Sequence, residues 1–288
     1  MPPHDHGRLD PGAPEPGATT GSGPVGSTDG GLPEPTIDVS IVVPYYNPGD
    51  RLRRTVEQML HVLRDSGVSF EIITVSDGST DGSRASLADL TDDALRNVEL
   101  AQNGGKGQAL QVGLALGRGR YLGFLDADGD LPPELLAPFL SLMHLYEPDI
   151  IMGSKRHPMS SVHYPPLRRL YSWGYQHLIG VLFRLHIKDT QVGIKLVDRK
   201  VIAAVLPMLR ESRFALDLEL LVLARRLGYT HIVEAPVRIR ERFGSTISLK
   251  AVWLLLVDTL ALYIRYSIRH EYDAALAAAG GAAGPGPG

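Results

Sequence analysis

The sequence contains no cysteine, which excludes disulfide frameworks, thiolate metal sites and cysteine nucleophiles. It also lacks a strong excess of either charge, since 29 Lys and Arg residues stand against 32 Asp and Glu residues and give a net charge of -3. Nucleic-acid binding usually needs a strongly basic field. The charge balance therefore argues against a nucleic-acid partner.

Long hydrophobic runs are absent from the sequence as well. The longest apolar stretch, residues 251–264, is interrupted by Asp258 and Thr259, whereas a helix that spans a bilayer needs about 20 mainly apolar residues. The first residues also lack the basic and apolar regions of a secretory signal peptide. We therefore expect a cytoplasmic protein.

Large apolar residues are scarce at both ends of the chain. Residues 1–36 are rich in Gly, Pro, Ser and Thr, and residues 273–288 in Ala, Gly and Pro. Such compositions bury too little apolar surface to offset the entropy of folding. We expect two disordered tails around one folded domain at 37–272, although the alanines after residue 273 favour a turn or two of helix.

The first part of this domain, residues 37–153, alternates short runs rich in Val and Ile with longer segments of helical period. The pattern predicts an α/β fold with a Rossmann-like, mostly parallel sheet flanked by helices, and ligands then bind at the carboxyl ends of the strands. The second part, residues 154–272, is less regular. Strands are predicted at 37–43, 70–76, 98–101, 121–127, 149–153, 192–197 and 231–239, and helices at 50–65, 81–90, 106–116, 132–146, 167–183, 199–206, 216–227 and 249–268.

An apolar strand runs directly into three carboxylates, Asp126, Asp128 and Asp130. Alternation along an extended chain would place them on one side. Crowded carboxylates repel one another unless a cation lies between them, and hard divalent ions prefer such oxygen ligands. The motif therefore indicates either a metal site or a solvated acidic turn in which Asp130 caps the next helix.

A Gly- and Ser-rich segment, Asp77-Gly78-Ser79-Thr80-Asp81-Gly82, follows another predicted strand. Asp77 is placed where a carboxylate can accept hydrogen bonds from a ribose or a base. Asp81 is placed to cap the following helix. The alternative is a turn whose Asp side chains bind only their own backbone.

The segment Asn103-Gly104-Gly105-Lys106-Gly107 opens a predicted helix, where backbone amides and a lysine can face an anion. It is not a Walker P-loop, because no Ser or Thr follows the lysine. The alternative is an ordinary loop.

These motifs occur together in a specific order. The segment Val42-Val43-Pro44-Tyr45-Tyr46-Asn47 is followed by the Asp77, Lys106 and Asp126 motifs, each at a strand end. In the order of these motifs and in their placement at strand ends, the chain resembles family 2 glycosyltransferases of the GT-A fold. Ile151-Met152-Gly153-Ser154-Lys155-Arg156 and Asp189-Thr190-Gln191-Val192-Gly193-Ile194-Lys195 make it similar to dolichyl-phosphate and polyprenyl-phosphate mannosyl- and glucosyltransferases.

The resemblance implies a role for each matching residue. Residues 37–153 would form the nucleotide-sugar half and residues 154–272 the acceptor half with a C-terminal helix. The implied donor-binding residues are Pro44, Tyr45, Asp77, Lys106, Lys155, Arg156, Arg169, Arg242 and Ser245. Asp126, Asp128 and Asp130 would hold Mg²⁺ or Mn²⁺ beside the donor diphosphate, and Asp126, Asp128, Gln191 and Asp217 would form the catalytic set.

Two groups of these residues have a second interpretation. Lys155, Arg156, Arg168 and Arg169 would bind a donor or lipid phosphate, although single arginines are usually solvated surface charges. Asp217 and Glu219 would meet sugar hydroxyls, or they form a polar face on a helix.

The function implied by the resemblance is metal-dependent, inverting transfer of a hexose to polyprenyl or dolichyl phosphate. The donor would be a nucleotide sugar of the UDP-glucose or GDP-mannose type. One alternative is a family 2 transferase that acts on a soluble or polymeric glycan. A non-catalytic nucleotide-sugar-binding module is the other, and the presence of all three carboxylates argues against it.

The last predicted helix carries apolar residues at helical spacing: Trp253, Leu256, Val257, Leu260 and Ile264. Basic residues flank this stripe at Arg238, Arg240, Arg242, Lys250, Arg265 and Arg269. The pattern is that of an ordinary core helix or of an interfacial helix on anionic lipid. The second interpretation predicts peripheral contact with the inner face of the cell membrane.

Overall fold

The structure is a computed structural model that describes residues 32, 34–161, 166–185, 187–239 and 249–282. At 166–170, 249–251 and 280–282 it describes the backbone alone. The described residues belong to one compact unit, Gly31–Gly288. Most of the predicted N-terminal tail lies outside the described residues.

The described residues build a seven-stranded sheet with the strand order β3-β2-β1-β4-β6-β5-β7. Strand β6 runs antiparallel to β4 and β5, and the other neighbours are parallel. The predicted α/β fold with a mostly parallel sheet is therefore confirmed. The strands are β1 (Ile37–Tyr45), β2 (Phe70–Ser76), β3 (Leu95–Glu99), β4 (Gly119–Leu125), β5 (Ile150–Ser154), β6 (Ile194–Asp198) and β7 (Ile232–Pro236).

The helices cover both faces of this sheet. Their bounds are α1 (Arg51–Asp65), α2 (Lys106–Leu116), α3 (Leu136–Tyr146), α4 (Pro166–Phe183), α5 (Arg199–Val205), α6 (Leu216–Arg226), α7 (Leu249–Tyr263) and α8 (Asp273–Ala282). A π-helical turn, Ile264–Ile268, continues α7. Among the described helices, none is both long and apolar enough to cross a membrane.

Alternate residues of β1 face two different hydrophobic clusters. Val39, Ile41 and Val43 point to the cluster that includes the buried residues of α1 and α3. Val42 points to the opposite cluster, which includes Phe124 and the buried leucines of α2 and α6. This alternation is the expected result of a sheet buried on both faces.

Two predicted segments differ from the structure. Instead of a helix at 81–90 there is a short 3-10 turn, Ala85–Leu87. Asp81 accepts hydrogen bonds from the backbone amides of Ser83 and Gly49, so it closes a turn and joins two loops instead of capping an α-helix.

The predicted C-terminal tail also differs from the structure in its first part, where the expected turn or two of helix is a helix of 10 residues. The structure places helix α8 there, with Leu276 buried in the core. The preceding Tyr272 is buried as well, and this tertiary packing stabilises a segment whose own composition is weakly structured.

Candidate active site

The loops after β1 and β2 are joined by reciprocal hydrogen bonds. The Asn47 amide donates to Ser79 Oγ (3.1 Å), and the Thr80 amide donates to Asn47 Oδ1 (2.8 Å). Asn47 adopts a left-handed conformation with φ of 50°, which asparagine tolerates better than most residues. The motifs at residues 42–47 and 77–82 thus form one surface at the carboxyl edge of the sheet.

Asp77 is a buried carboxylate at the end of β2. Its two oxygens accept hydrogen bonds from the amides of Gly104 (2.7 Å) and Gly105 (2.9 Å). The Asp77 and Lys106 motifs are therefore in direct contact. The nucleoside-binding role of Asp77 stays a prediction, and a carboxylate has lone pairs for further donors.

Pro44 and Tyr45 close the same edge at the end of β1. The side chain of Tyr45 is buried, and burial raises the pKa of its phenol. Its carbonyl accepts a hydrogen bond from the Asp77 amide (2.8 Å). The structure therefore brings the three residues expected to hold the nucleoside to one place.

The start of α2 lies against the loop that precedes α6. The Gln108 amide donates to the Ser212 carbonyl (3.0 Å). Gly105 has a φ of 101°, and a Cβ at this position would overlap that same carbonyl. Glycine is required here for both conformation and space, which explains the Gly-rich motif.

The carboxylates after β4 do not continue the strand. The strand ends at Leu125, and the following residues form a turn in which Gly129 has a φ of 71°. The Asp130 amide donates to Asp128 Oδ1 (2.9 Å) within this turn. The predicted alternation that would align Asp126, Asp128 and Asp130 is therefore wrong, because the chain is no longer extended.

The metal-ligand assignment of these residues stays a prediction. Within the described part of the chain, no group of three or more His, Asp or Glu side chains is arranged to hold an ion. Asp128 is exposed at the site, and Asp126 is largely buried. Mg²⁺ is commonly held by one or two carboxylates together with substrate phosphates, and this arrangement fits that mode.

Asp126 is part of a cluster of alternating charges. Lys106 Nζ lies 2.6 Å from Asp126 Oδ1 and 4.0 Å from Asp217 Oδ2. Lys195 Nζ donates to Asp217 Oδ1 at 2.6 Å. The two ammonium groups lie 5.6 and 5.1 Å from the centroid of the Phe124 ring. Asp126, which follows β4, and Asp217 of α6 are thereby brought together through Lys106 and Lys195.

The electrostatics of this cluster follow from burial and pairing. Burial raises the pKa of the Asp126 carboxyl, and the neighbouring Lys106 ammonium opposes that shift. Burial would lower the pKa of Lys106, but Asp126 and Asp217 outweigh it, so that the Lys106 pKa is raised. Lys106 thus supplies positive charge to Asp126, a contact that the sequence analysis did not specify.

The segment before β6 packs on Asp126 from the other side. The Asp126 amide donates to the Gly193 carbonyl (3.0 Å), and a Cβ at Gly193 would overlap the Asp126 carboxylate. In the same segment, the buried Asp189 accepts hydrogen bonds from the amides of Lys155 (3.1 Å) and Gln191 (3.4 Å). Gln191 and Lys155 are therefore near one another, as expected for parts of one site.

The remaining predicted binding residues are exposed or have no described side chain. Arg156 is exposed, and Arg168 and Arg169 lie in α4 with only their backbone described. Arg242 and Ser245 lie outside the described residues. No contact between these arginines and a phosphate position is therefore assigned.

Glu219 is buried away from the carboxylate cluster. It accepts hydrogen bonds from the amides of Arg210 (3.1 Å) and Glu211 (2.9 Å) and from the Tyr272 hydroxyl (2.6 Å). Burial raises its pKa to about 7, against the opposing effect of the Tyr272 and Arg210 hydrogen bonds. Its predicted role at sugar hydroxyls has no support, because these partners and complete burial remove it from the surface.

Sequence reasoning missed the roles of Lys195 and Gly193. Both stand in a motif that was recognised, but neither was assigned a function. A signal was available for Lys195, since a lysine between Ile194 and Leu196 in a predicted strand indicates a charged group at a buried position.

The mixed sheet, with the carboxylate–lysine cluster at its carboxyl edge, has the GT-A fold, which it shares with two solved structures. Glucosyl-3-phosphoglycerate synthase from Mycobacterium tuberculosis, solved with Mn²⁺, uridine diphosphate and glucosyl-3-phosphoglycerate, is 18% identical with a TM-score of 0.60. The match covers 79% of this chain and 80% of that one. Mannosyl-3-phosphoglycerate synthase from Rubrobacter xylanophilus is 17% identical with a TM-score of 0.65, over 81% and 75% of the two chains.

The sequence relatives specify the family. The profile of glycosyl transferase family 2 matches residues 40–206. A dolichyl-phosphate beta-glucosyltransferase from Dictyostelium discoideum is 32% identical over 74% of this chain and 69% of its own. The Homo sapiens protein of the same name is 31% identical over 81% and 76%. The chain belongs to glycosyl transferase family 2, and it is a glycosyltransferase.

Proposed function

We propose that this enzyme transfers glucose from UDP-glucose to a polyprenyl-type lipid phosphate such as dolichyl phosphate. The observation that carries the proposal is the Lys106–Asp126 pair (2.6 Å) beside the exposed Asp128. This pair lies at the same edge of the sheet as the loops after β1 and β2. The names of the relatives support both the glucosyl group and the lipid phosphate. The uridine diphosphate in a structural neighbour supports the choice of nucleotide.

The chemistry asked of the site is mainly electrostatic. The donor diphosphate leaves with growing negative charge, and preorganised cations near the leaving group lower the barrier. Lys106 is such a cation, held between Asp126 and Asp217. Pro44, Tyr45 and Asp77 would hold the nucleoside, since they form the neighbouring edge.

A divalent ion fits this site. Asp128, with Asp126 behind it, would hold Mg²⁺ or Mn²⁺ together with the diphosphate oxygens. When bound, the ion supplies further stabilisation of the leaving diphosphate. A structural neighbour was solved with Mn²⁺, which supports this choice.

The acceptor needs little help from a general base. A phosphate monoester has a second pKa of about 6, so it is largely a dianion at neutral pH. Single displacement by this oxygen inverts the anomeric centre and gives a β-linked product from an α-linked donor. Gln191, next to Asp189 and Lys155, is the residue we place beside the sugar and the acceptor.

Contact with the membrane would bring the enzyme to such an acceptor. Trp253 is 66% exposed, and Val257, Leu260, Ile264 and Ile268 form an exposed apolar stripe with it. The opposite side of the helix is buried at Asp258, Thr259 and Leu262. An exposed Trp-bearing stripe is typical of helices that lie at the headgroup boundary, and we place it on the cytoplasmic leaflet.

A donor and metal assay tests the proposed reaction. Purified enzyme, polyprenyl phosphate and labelled UDP-glucose should give a product that partitions into organic solvent, whereas labelled GDP-mannose should give far less. Excess chelator should abolish the product, and added Mg²⁺ or Mn²⁺ should restore it. A preference for GDP-mannose would overturn the donor assignment, and full activity in chelator would overturn the metal assignment.

A further inference from the structure

Lys195 is a lysine with no exposed surface, on a strand that runs alongside β4. Its ammonium donates to the carbonyls of Thr190 (3.1 Å) and Val192 (3.0 Å) and to Asp217 Oδ1 (2.6 Å). An ammonium has three donors, and all three are used. Full burial and full pairing of a lysine are uncommon, and they indicate a specific role.

The partner of Lys195 lies between two lysines. Asp217 Oδ1 faces Lys195, and its Oδ2 is 4.0 Å from Lys106 Nζ. Lys106 is in turn 2.6 Å from Asp126. Without Lys195, Asp217 would keep Lys106 as its near cation, and two carboxylates would compete for one ammonium.

Lys195 also shapes the segment that touches Asp126. The two carbonyls that it binds flank Gln191 and precede Gly193, whose carbonyl accepts the Asp126 amide hydrogen bond (3.0 Å). Lys195 therefore reaches the reaction site by two routes, through Asp217 and through the backbone.

We propose that Lys195 is a positioning residue for sugar transfer. It neutralises Asp217, and Lys106 is thereby left to Asp126 and to the donor. The inference rests on the proposed function only in placing the donor beside Asp126. The route through Asp217 dominates, because it controls the charge next to Lys106.

A double-mutant cycle tests this assignment. The variants are Lys195→Met, Asp217→Asn and the double variant, since Met keeps the length of the side chain without its charge. Lys188→Met is the matched control, because Lys188 is an exposed lysine in the same connection before β6. Rates, donor KM and thermal midpoints are measured for each purified protein.

The expected result is strong coupling between the two residues. Lys195→Met should lower kcat by about 30-fold with Asp217 present, and by less than about threefold in the Asp217→Asn background, with donor KM little changed. The double variant should recover thermal stability relative to Lys195→Met, because it no longer buries a carboxylate that has lost its closest cation. Lys188→Met should match the wild type.

Two results would overturn the proposal. One is an equal loss of kcat from Lys195→Met in both backgrounds, which would make Lys195 independent of Asp217. The other is an unchanged kcat with a lowered thermal midpoint, which would make Lys195 structural only. If the wild type transfers no glucose to polyprenyl phosphate, the proposed function fails, and the cycle is run with the donor and acceptor that the wild type does use.

Discussion

The loops after β1 and β2 are joined by hydrogen bonds between short motifs, whereas the loop before α6 is joined to the C-terminal helices by ion pairs. In the first region Asn47, Asp77 and Asp81 bind backbone amides of neighbouring loops. In the second, Arg213 pairs with Asp258 (2.6 Å), and Arg210 pairs with Glu271 (2.7 Å). Salt screens ion pairs that involve exposed groups, so the second region should respond more strongly to ionic strength than the first.

This difference assigns different tasks to the two regions. The first region fixes the edge that we propose for the nucleoside, through contacts that each span two loops. The second connects the exposed apolar stripe of α7 to the start of α2, because the Ser212 carbonyl accepts the Gln108 amide hydrogen bond. Changes in the first region should therefore affect catalysis, and changes in the second should affect stability and membrane contact.

Asp128→Ala should have the largest effect and should locate catalysis at the carboxyl edge of the sheet, in the turn after β4. Loss of a carboxylate that holds the cation and diphosphate should lower kcat by about 1000-fold. Because Asp128 is exposed, the thermal midpoint should stay near that of the wild type. Asp65→Ala, which removes another exposed carboxylate, is the control. A kcat within a few-fold of the wild type would remove Asp128 from the mechanism.

The free energy of unfolding should depend on pH through Glu219, which belongs to the second region. The pKa of Glu219 is raised by burial from 4.5 to about 7, so the folded state binds more protons than the unfolded state between these values. Stability from this group is thus present at low pH and is lost as pH rises from about 4.5 to about 7. The loss should total about 3 kcal/mol.

Glu219→Gln is the test of that dependence, since Gln has a similar shape and does not titrate. Denaturant unfolding at pH 5 and pH 8 should show the wild type losing about 3 kcal/mol more than the variant between the two pH values. Parallel curves for the two proteins would show that Glu219 has an ordinary pKa.

Gly193→Ala should give a smaller effect, centred on catalysis. A Cβ at this position would overlap the Asp126 carboxylate and displace it from Lys106. We expect kcat to fall by about 30-fold, in line with misplacement of a catalytic group. Gly174→Ala is the matched control, because a Cβ there meets no atom. Equal activity of the two variants would contradict the contact between Gly193 and Asp126.

Trp253→Ala should have the smallest effect and should act on membrane contact alone. Loss of its apolar area should weaken binding to anionic vesicles about tenfold, and added salt should weaken binding further. Leu145, which is 72% exposed on α3, provides the control variant Leu145→Ala. Equal vesicle binding by both variants, measured by sedimentation, would remove the stripe from the membrane interface.

Local patterns were sufficient to predict much of the first region. The bounds of β2 and α2 were predicted correctly, because each combines a clear apolar period with a flanking Gly or Ser signal. The motifs at 77–82 and 103–107 were correctly placed at the ends of elements. That Asp77 binds Gly104 and Gly105 was not predicted, since the contact depends on neighbouring strands in space.

Long-range pairing could not be predicted outside the first region. Strand β6 inserts antiparallel between β4 and β5, and no local pattern specifies strand order. Glu219 was expected near the sugar or on a polar face of a helix, but its partners are contributed by Tyr272 and by the loop before α6. The pairing of Lys195 with Asp217 likewise joins a strand and a helix that are separate in sequence.

The choice between a lipid and a soluble acceptor is tested most directly by measuring kcat/KM for two phosphate acceptors with UDP-glucose. One is a short polyprenyl phosphate in anionic vesicles, and the other is 3-phosphoglycerate, whose glucosyl derivative is bound in a structural neighbour. We predict that kcat/KM for the lipid phosphate is at least about 100-fold higher, a preference of about 2.7 kcal/mol. A higher kcat/KM for the soluble phosphate would contradict it and would assign the enzyme to soluble acceptors.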